Sequence, residues 1–172
     1  MIENNLETYF KVATWSSPIV VIFLLILSAF FSGSETALTA SSRPKLRSMS
    51  DRGSVGAKKA LDITNDNESL IGTILLGNNI VNILATSLAT AYFVKLFGDK
   101  GIFLATFCMT VLILVFSELL PKTYAINNPE TAARRVAPLV LFFIYIFSPI
   151  IIFVRKFVQL LLSLMGLKID PS

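Results

Sequence analysis

Long apolar runs, broken at a few places by clusters of polar residues, dominate the chain. Crossing a hydrocarbon core takes roughly 20 helical residues, and three runs reach that length. The first starts at Ser17-Pro18, a cap followed by a proline suited to the first helical position. It continues through Phe31 and the polar stretch Ser32-Gly33-Ser34-Glu35 to about Ala40, and spans only if that stretch lies inside it. The second follows the helix-starting cluster Asp66-Asn67-Glu68-Ser69 and runs over 70–97, carrying Asn78, Asn79 and Asn82. The third follows the turn Gly98-Asp99-Lys100-Gly101, runs over 102–120 and reaches Ser117-Glu118-Leu119-Leu120-Pro121-Lys122. So short a turn makes the second and third spans an antiparallel hairpin.

Two further segments flank these spans. Residues 43–66, with Arg43-Pro44 and a break at Gly53 and Gly56, read as one or two short helices at the membrane surface. The stretch 136–165 is apolar enough for a fourth crossing, but Pro138 and Pro149 interrupt it. A simple crossing would also carry Arg155 and Lys156 away from the side that holds Arg134 and Arg135. The favoured expectation is therefore a bent element over about 130–167, lying in or dipping into the inner leaflet with both ends cytoplasmic.

Charge orients the spans. Arg43, Lys45, Arg47, Arg52, Lys58 and Lys59 lie between the first and second, and Lys122, Arg134 and Arg135 follow the third, which makes these sides cytoplasmic. The N-terminus, with Glu3 and Glu7 against Lys11, is then outside, as is the turn at Asp99, and the C-terminus is cytoplasmic. The first ten residues lack a basic region and a cleavage site of small residues, so the first span is expected to stay rather than be removed as a signal peptide.

Composition agrees with this class: of 172 residues, 54% are hydrophobic and 15% charged. The expectation is an all-α, multi-pass protein of the cell's inner (plasma) membrane, with three transmembrane helices and a juxtamembrane belt on the cytoplasmic side. A net charge of +4 would suit nucleic acid, but the basic residues cluster beside the spans, where they set topology instead. The chain has no histidine and a single cysteine, Cys108, in an apolar run. Histidine-based acid–base catalysis and zinc or copper sites of the usual kind are thereby unavailable, and with no nucleophile–base pair in view the chain is not expected to be an enzyme.

Polar side chains inside a bilayer are costly, about 3 kcal/mol for a charge at a helix centre by insertion scales, and so face protein or water. Ser28, Ser32 and Glu35 are spaced i, i+4, i+7 and share one helix face; Asn78 and Asn82 are i, i+4, with Asn79 alongside; Glu118 and Lys122 are i, i+4. Gly33 permits close backbone approach, and Pro121 frees the carbonyl of Ser117 from its helical partner. Hydroxyl, amide, carboxylate and carbonyl oxygens suit hard cations such as Mg²⁺ or Na⁺. Each group also has a plainer use: serines bond back to their own helix, asparagines join helices, and Glu118 pairs with Lys122. Convergence of such groups on three separate spans favours an ion site.

The segments SAFFSGSETAL (Ser28–Leu38), LLGNNIVN (Leu75–Asn82) and SELLPKTYA (Ser117–Ala125) resemble the transmembrane domain of the CorC/CorB magnesium transporter family, related to the cyclin M (CNNM) proteins. The resemblance covers nearly the whole chain, one motif per span in the family's order. It implies a homodimer of three transmembrane helices with a juxtamembrane belt, exporting Mg²⁺ with Na⁺ as counter-ion in some members. It places the Mg²⁺ ligands on Ser28, Ser32, Asn78 and Glu118. Lys122 would hold Glu118 or move its charge between states, and Gly33, Glu35, Asn79, Asn82, Ser117 and Pro121 would stand in support. Full-length relatives continue into cytoplasmic paired CBS domains that bind adenine nucleotide, whereas this sequence stops at Asp170-Pro171-Ser172, so no ATP site is expected within it. Ala85, Ser87, Ala89 and Ala91 offer small residues for close helix packing in a dimer.

Alternating-access Mg²⁺ export is thus the leading expectation, with Glu35, Glu118 and Glu130 defining a cytoplasmic entrance. A Mg²⁺-sensing scaffold that moves no ions, or a passive divalent-cation channel, would use the same residues.

Overall fold

A computed structural model describes the backbone of residues 2–165 and the side chains of residues 18–165. The side chains of Glu3, Glu7 and Lys11, the last two residues of the expected 130–167 element, Lys168 and the final Asp170-Pro171-Ser172 lie outside the described residues. Every element among those described is helical: α1 (Ile2–Ala40), α2 (Arg43–Asp51), α3 (Val55–Asn65), α4 (Asn67–Phe97), α5 (Lys100–Leu112), a π-helical segment (Ile113–Leu119), α6 (Leu120–Asn127) and α7 (Pro129–Leu164). α5, the π segment and α6 follow one another without a break.

Local chemistry sets the joints. Ser54 caps α3 by accepting from the Ala57 N–H at 3.3 Å, and Asp66 caps α4 by accepting from the Ser69 N–H at 3.1 Å. Asp66 also terminates α3, so a single residue links the surface helices to a long one. Gly98, at φ 63°, closes the hairpin between α4 and α5 in a conformation that side chains disfavour.

Three expectations change. Pro18 lies inside α1 and does not start it. The rod expected over 102–120 continues to Asn127. Four helices, not three, are long and apolar enough to cross a membrane by length and composition: Pro18–Ala40, Asn67–Phe97, Lys100–Asn127 and Pro129–Leu164. Pro138 and Pro149 both sit within the continuous helix α7. The common reason is that a proline removes one ladder bond and crowds one turn, which a helix of 36 residues absorbs, so its presence marks neither a start nor a stop.

Two apolar clusters hold the bundle. The larger joins Phe31, Ala37 and Leu38 of α1 to Leu46 of α2, Ala57, Ala60 and Ile63 of α3, Leu70 and Ile74 of α4, and Ala133, Ala137 and Val140 of α7. Its centre is aromatic: Phe143 meets Phe31 with ring centroids 4.8 Å apart. Gly77 makes room for that ring, since a Cβ there would fall 2.5 Å from Phe31. The smaller cluster gathers Val21, Ala85, Ala89 and Met109. Ala85 and Ala89 are therefore spent inside the chain, and of the four small residues expected to serve a dimer only Ser87 and Ala91 are exposed.

Candidate functional site

Between the two clusters, α1, α4 and the π segment bring their polar residues together. Ser28 and Ser32 are each almost wholly buried. The Ser28 hydroxyl donates to Asn78 Oδ1 at 2.7 Å, the Ser32 hydroxyl donates to Glu118 Oε2 at 3.0 Å, and Asn78 Nδ2 donates to Glu118 Oε1 at 3.1 Å. Asn78 is thus the bridge: its oxygen faces α1 and its nitrogen faces the carboxylate. Lys122 Nζ lies 3.0 Å from Glu118 Oε2, one turn further along. Asn82 Nδ2 adds a longer bond to Asn78 Oδ1, at 3.3 Å, and leaves its own Oδ1 buried without a partner.

The local conformation accounts for how these groups meet. Ser117 and Glu118 lie within the π segment, where the Leu120 N–H bonds to the carbonyl of Val115, five residues back. Such a turn is wider than an α turn and recurs at functional sites. Pro121 then supplies no N–H, leaving a carbonyl of the preceding turn without its ladder partner. Ser117 is fully buried and donates to the carbonyl oxygen of Leu25 at 3.0 Å, fastening the π segment to α1. Gly33 lets α1 approach this corner: a Cβ there would stand 3.2 Å from Pro121 Cβ.

Ser28, Ser32, Asn78, Glu118 and Lys122 therefore form one connected network, with Asn82 at its edge and Gly33, Ser117 and Pro121 shaping it. Two candidates stand apart. Asn79 is exposed and lines a different cavity, a groove of about 550 Å³ between α4 and α7 with Ile71, Leu75, Ile150 and Val154. The Glu35 carboxylate makes none of the network's hydrogen bonds. Glu130, expected at an entrance, instead accepts from the Ser42 N–H at 3.4 Å and pairs with Lys45 at 3.2 Å, tying α7 to the start of α2.

Nothing in the sequence marks the Leu25 carbonyl, because every residue carries one. Nor does it single out Ser34 and Thr73, whose hydroxyls are buried with no partner. Among the described residues no three His, Cys, Asp or Glu side chains cluster. The network offers one carboxylate, one amide oxygen and two hydroxyls, a set that suits a hard cation and lacks the nitrogen or sulfur donors of a transition-metal site.

Known proteins are similar to this chain over most of its length. The Cyclin M transmembrane N-terminal domain matches residues 19–172. A UPF0053 protein of Haemophilus influenzae is 39% identical over 152 residues, 88% of this chain and 36% of that protein. The UPF0053 inner membrane protein YfjD of Escherichia coli is 38% identical over 144 residues, 84% of this chain and 34% of that protein. A protein of Escherichia coli named Polyamine export protein is 26% identical over 151 residues, 80% of this chain and 34% of that protein. The chain spans about a third of the length of these relatives. With a match over nearly its whole length and apolar helices long enough to cross a bilayer, the chain belongs to the family of the cyclin M transmembrane domain.

Proposed function

We propose that this chain transports Mg²⁺ outward across the inner membrane by alternating access, with Na⁺ entering in exchange, and that it is a carrier and not an enzyme. The observation that carries this reading is the bridging of three helices through Ser28, Ser32, Asn78 and Glu118, all oxygen-bearing and all within apolar spans. A carrier needs a site whose ligands belong to separately movable elements, and this one takes two from α1, one from α4 and one from the π segment. Mg²⁺ gives up water reluctantly, so one carboxylate with three neutral oxygens suits an ion that keeps part of its hydration shell.

For the topology we propose three crossings, with α7 as a belt on the cytoplasmic side. Contacts at its two ends support this. Arg134 packs its backbone against Gly56 of α3, and Arg155 pairs with Glu68 at the start of α4 at 3.1 Å. Residues 56 and 68 flank the same short surface segment, so both basic pairs of α7 remain on the side where positive charge accumulates. The N-terminus is then outside and the C-terminus inside. A second copy of the chain and cytoplasmic paired domains complete the proposed assembly.

A polyamine cargo is the second reading, favoured by one observation besides the relative named for polyamine export. The Glu118 carboxylate already holds an alkylammonium, that of Lys122. Flux measured on chain-loaded liposomes separates the readings. Mg²⁺ efflux that depends on an inward Na⁺ gradient and is lost in Asn78→Ala is the expected result. Efflux indifferent to the gradient would mean a channel, Mg²⁺ binding without flux a sensor, and spermidine flux in place of Mg²⁺ flux a polyamine carrier.

A further inference from the structure

Donors of this chain already occupy both oxygens of the Glu118 carboxylate. Its Oε2 receives both the Ser32 hydroxyl and the Lys122 ammonium, and its Oε1 receives Asn78 Nδ2. Asn78 Oδ1 in turn receives the Ser28 hydroxyl and Asn82 Nδ2. A cation entering among these oxygens must displace donors, and only one of them carries charge. A carboxylate–Mg²⁺ bond of about 2.1 Å would set two positive charges on one oxygen pair, with the ammonium 3.0 Å from Oε2. Coulomb repulsion at that range is far stronger in a low-dielectric bundle than in water. Lys122 has somewhere to go: its side chain is 41% exposed, and its four-carbon stem allows the head to move towards the membrane surface.

We infer that the Lys122 ammonium is a tethered stand-in for the transported cation, seated on Glu118 when the site is empty and expelled when a divalent ion arrives. The inference rests on the reading of this network as the Mg²⁺ site. Two consequences follow from charge alone. The empty carrier never exposes a bare carboxylate inside the bilayer, which makes its return across the cycle affordable. The tether also selects by valence: a monovalent ion offers Glu118 no more charge than the lysine already does, and it competes against a group held at high effective concentration. Lys122 is therefore a specificity-determining residue for divalent ions and not a fixed support for Glu118.

The two roles predict opposite shifts in affinity. In the whole chain embedded in lipid nanodiscs, calorimetric titration of Lys122→Met is expected to show Mg²⁺ binding tighter by about tenfold, the order of one lost competing ion pair, with excess Na⁺ now competing. Lys122→Arg restores the charge and brings affinity and Na⁺ rejection back towards the original. In liposomes, Lys122→Met is expected to exchange isotopic Mg²⁺ for Mg²⁺ while net efflux falls. Equal or weaker Mg²⁺ binding in Lys122→Met, beside normal binding by the unaltered chain, would overturn the inference and leave the Mg²⁺ reading standing. No Mg²⁺ binding by the unaltered chain would overturn both. Should Lys122→Met fail to fold, the unaltered chain still decides: with ¹³C-methylated lysines, the Lys122 resonance, assigned by its loss in Lys122→Arg, must shift when Mg²⁺ is added, and an unmoved resonance refutes the expulsion.

Discussion

In the proposed topology, the inner and outer halves of the same helices are joined by different means. Towards the Gly98 turn, α1, α4 and α5 meet through Val21, Ala85, Ala89 and Met109, a contact of small and flexible side chains with no hydrogen bond among them. About two turns further in, α1, α4 and the π segment meet through Ser28, Ser32, Asn78 and Glu118, a contact made almost wholly of hydrogen bonds. Dispersion contacts between close-packed methyl groups have no alternative partners and make a seal. The oxygens of hydroxyls, an amide and a carboxylate can exchange hydrogen-bond donors for an ion, which methyl groups cannot. Under the proposed function the outer contact is a closure and the inner one a receptor, and the distinction comes from the chemistry of the side chains, since the helices are continuous through both.

The sharpest break of this contrast is at Asn78. Asn78→Ala removes an oxygen ligand of the proposed site together with the group that joins Ser28 to Glu118, and Mg²⁺ affinity should fall by about 100-fold. Titration calorimetry checks this, with Glu118→Gln expected to match it and Cys108→Ala to leave affinity unchanged. Equal effects from all three would dissolve the assignment of the inner half as the receptor.

Ala85→Leu tests the outer half. Overfilling a contact with no exposed volume costs about 1–3 kcal/mol and should lower the thermal midpoint while Mg²⁺ affinity stays within about twofold. Loss of binding at that position would mean that the halves are not separable.

The smallest effect is expected at Asp66, which lies outside both halves and anchors α4 from the aqueous side. Bonds from the Ser69 hydroxyl and N–H, opposed by slight burial and aided by the charge of Arg155, hold its carboxyl below the usual 3.8. A folded-state value lower than the unfolded one means the cap contributes fully above the unfolded value and is lost as pH falls through the folded one. Amide exchange at Ser69 should therefore accelerate only below about pH 4, and Asp66→Ala should bring that acceleration to neutral pH at a cost of about 1 kcal/mol.

Much of this contrast was legible beforehand, and the illegible remainder has definite causes. The i, i+4 spacing of Ser28 with Ser32, and of Asn78 with Asn82, fixes a shared face wherever the helix goes, so periodicity grouped the candidates and the family resemblance narrowed them to Ser28, Ser32, Asn78 and Glu118. Asn78 and Asn79 are neighbours on a helix whose successive residues diverge by about 100°. Which of them faces α1 depends on the rotation of α4 about its axis, and that is set by Phe31 entering the space at Gly77. The fate of α7 was obscured by its prolines, because chain sequence records a missing N–H but not whether thirty neighbouring bonds outweigh it. Glu130 looked like an entrance because it is acidic and near the surface; its use by Lys45 and Ser42 depends on a turn between α1 and α2 that sequence places only loosely.

The π segment carries one further consequence. A turn closed over five residues instead of four takes up surplus chain without lengthening the rod in proportion, so residues beyond Leu119 are out of phase with those before Ile113. The two ends of Lys100–Asn127 thus obey separate clocks: the α5 end keeps time with α4 through the Gly98 turn, and the α6 end keeps time with α1 through Gly33 and Pro121. Glu118 sits at the point where the two meet, which makes its direction sensitive to any slip between them even when neither end moves far.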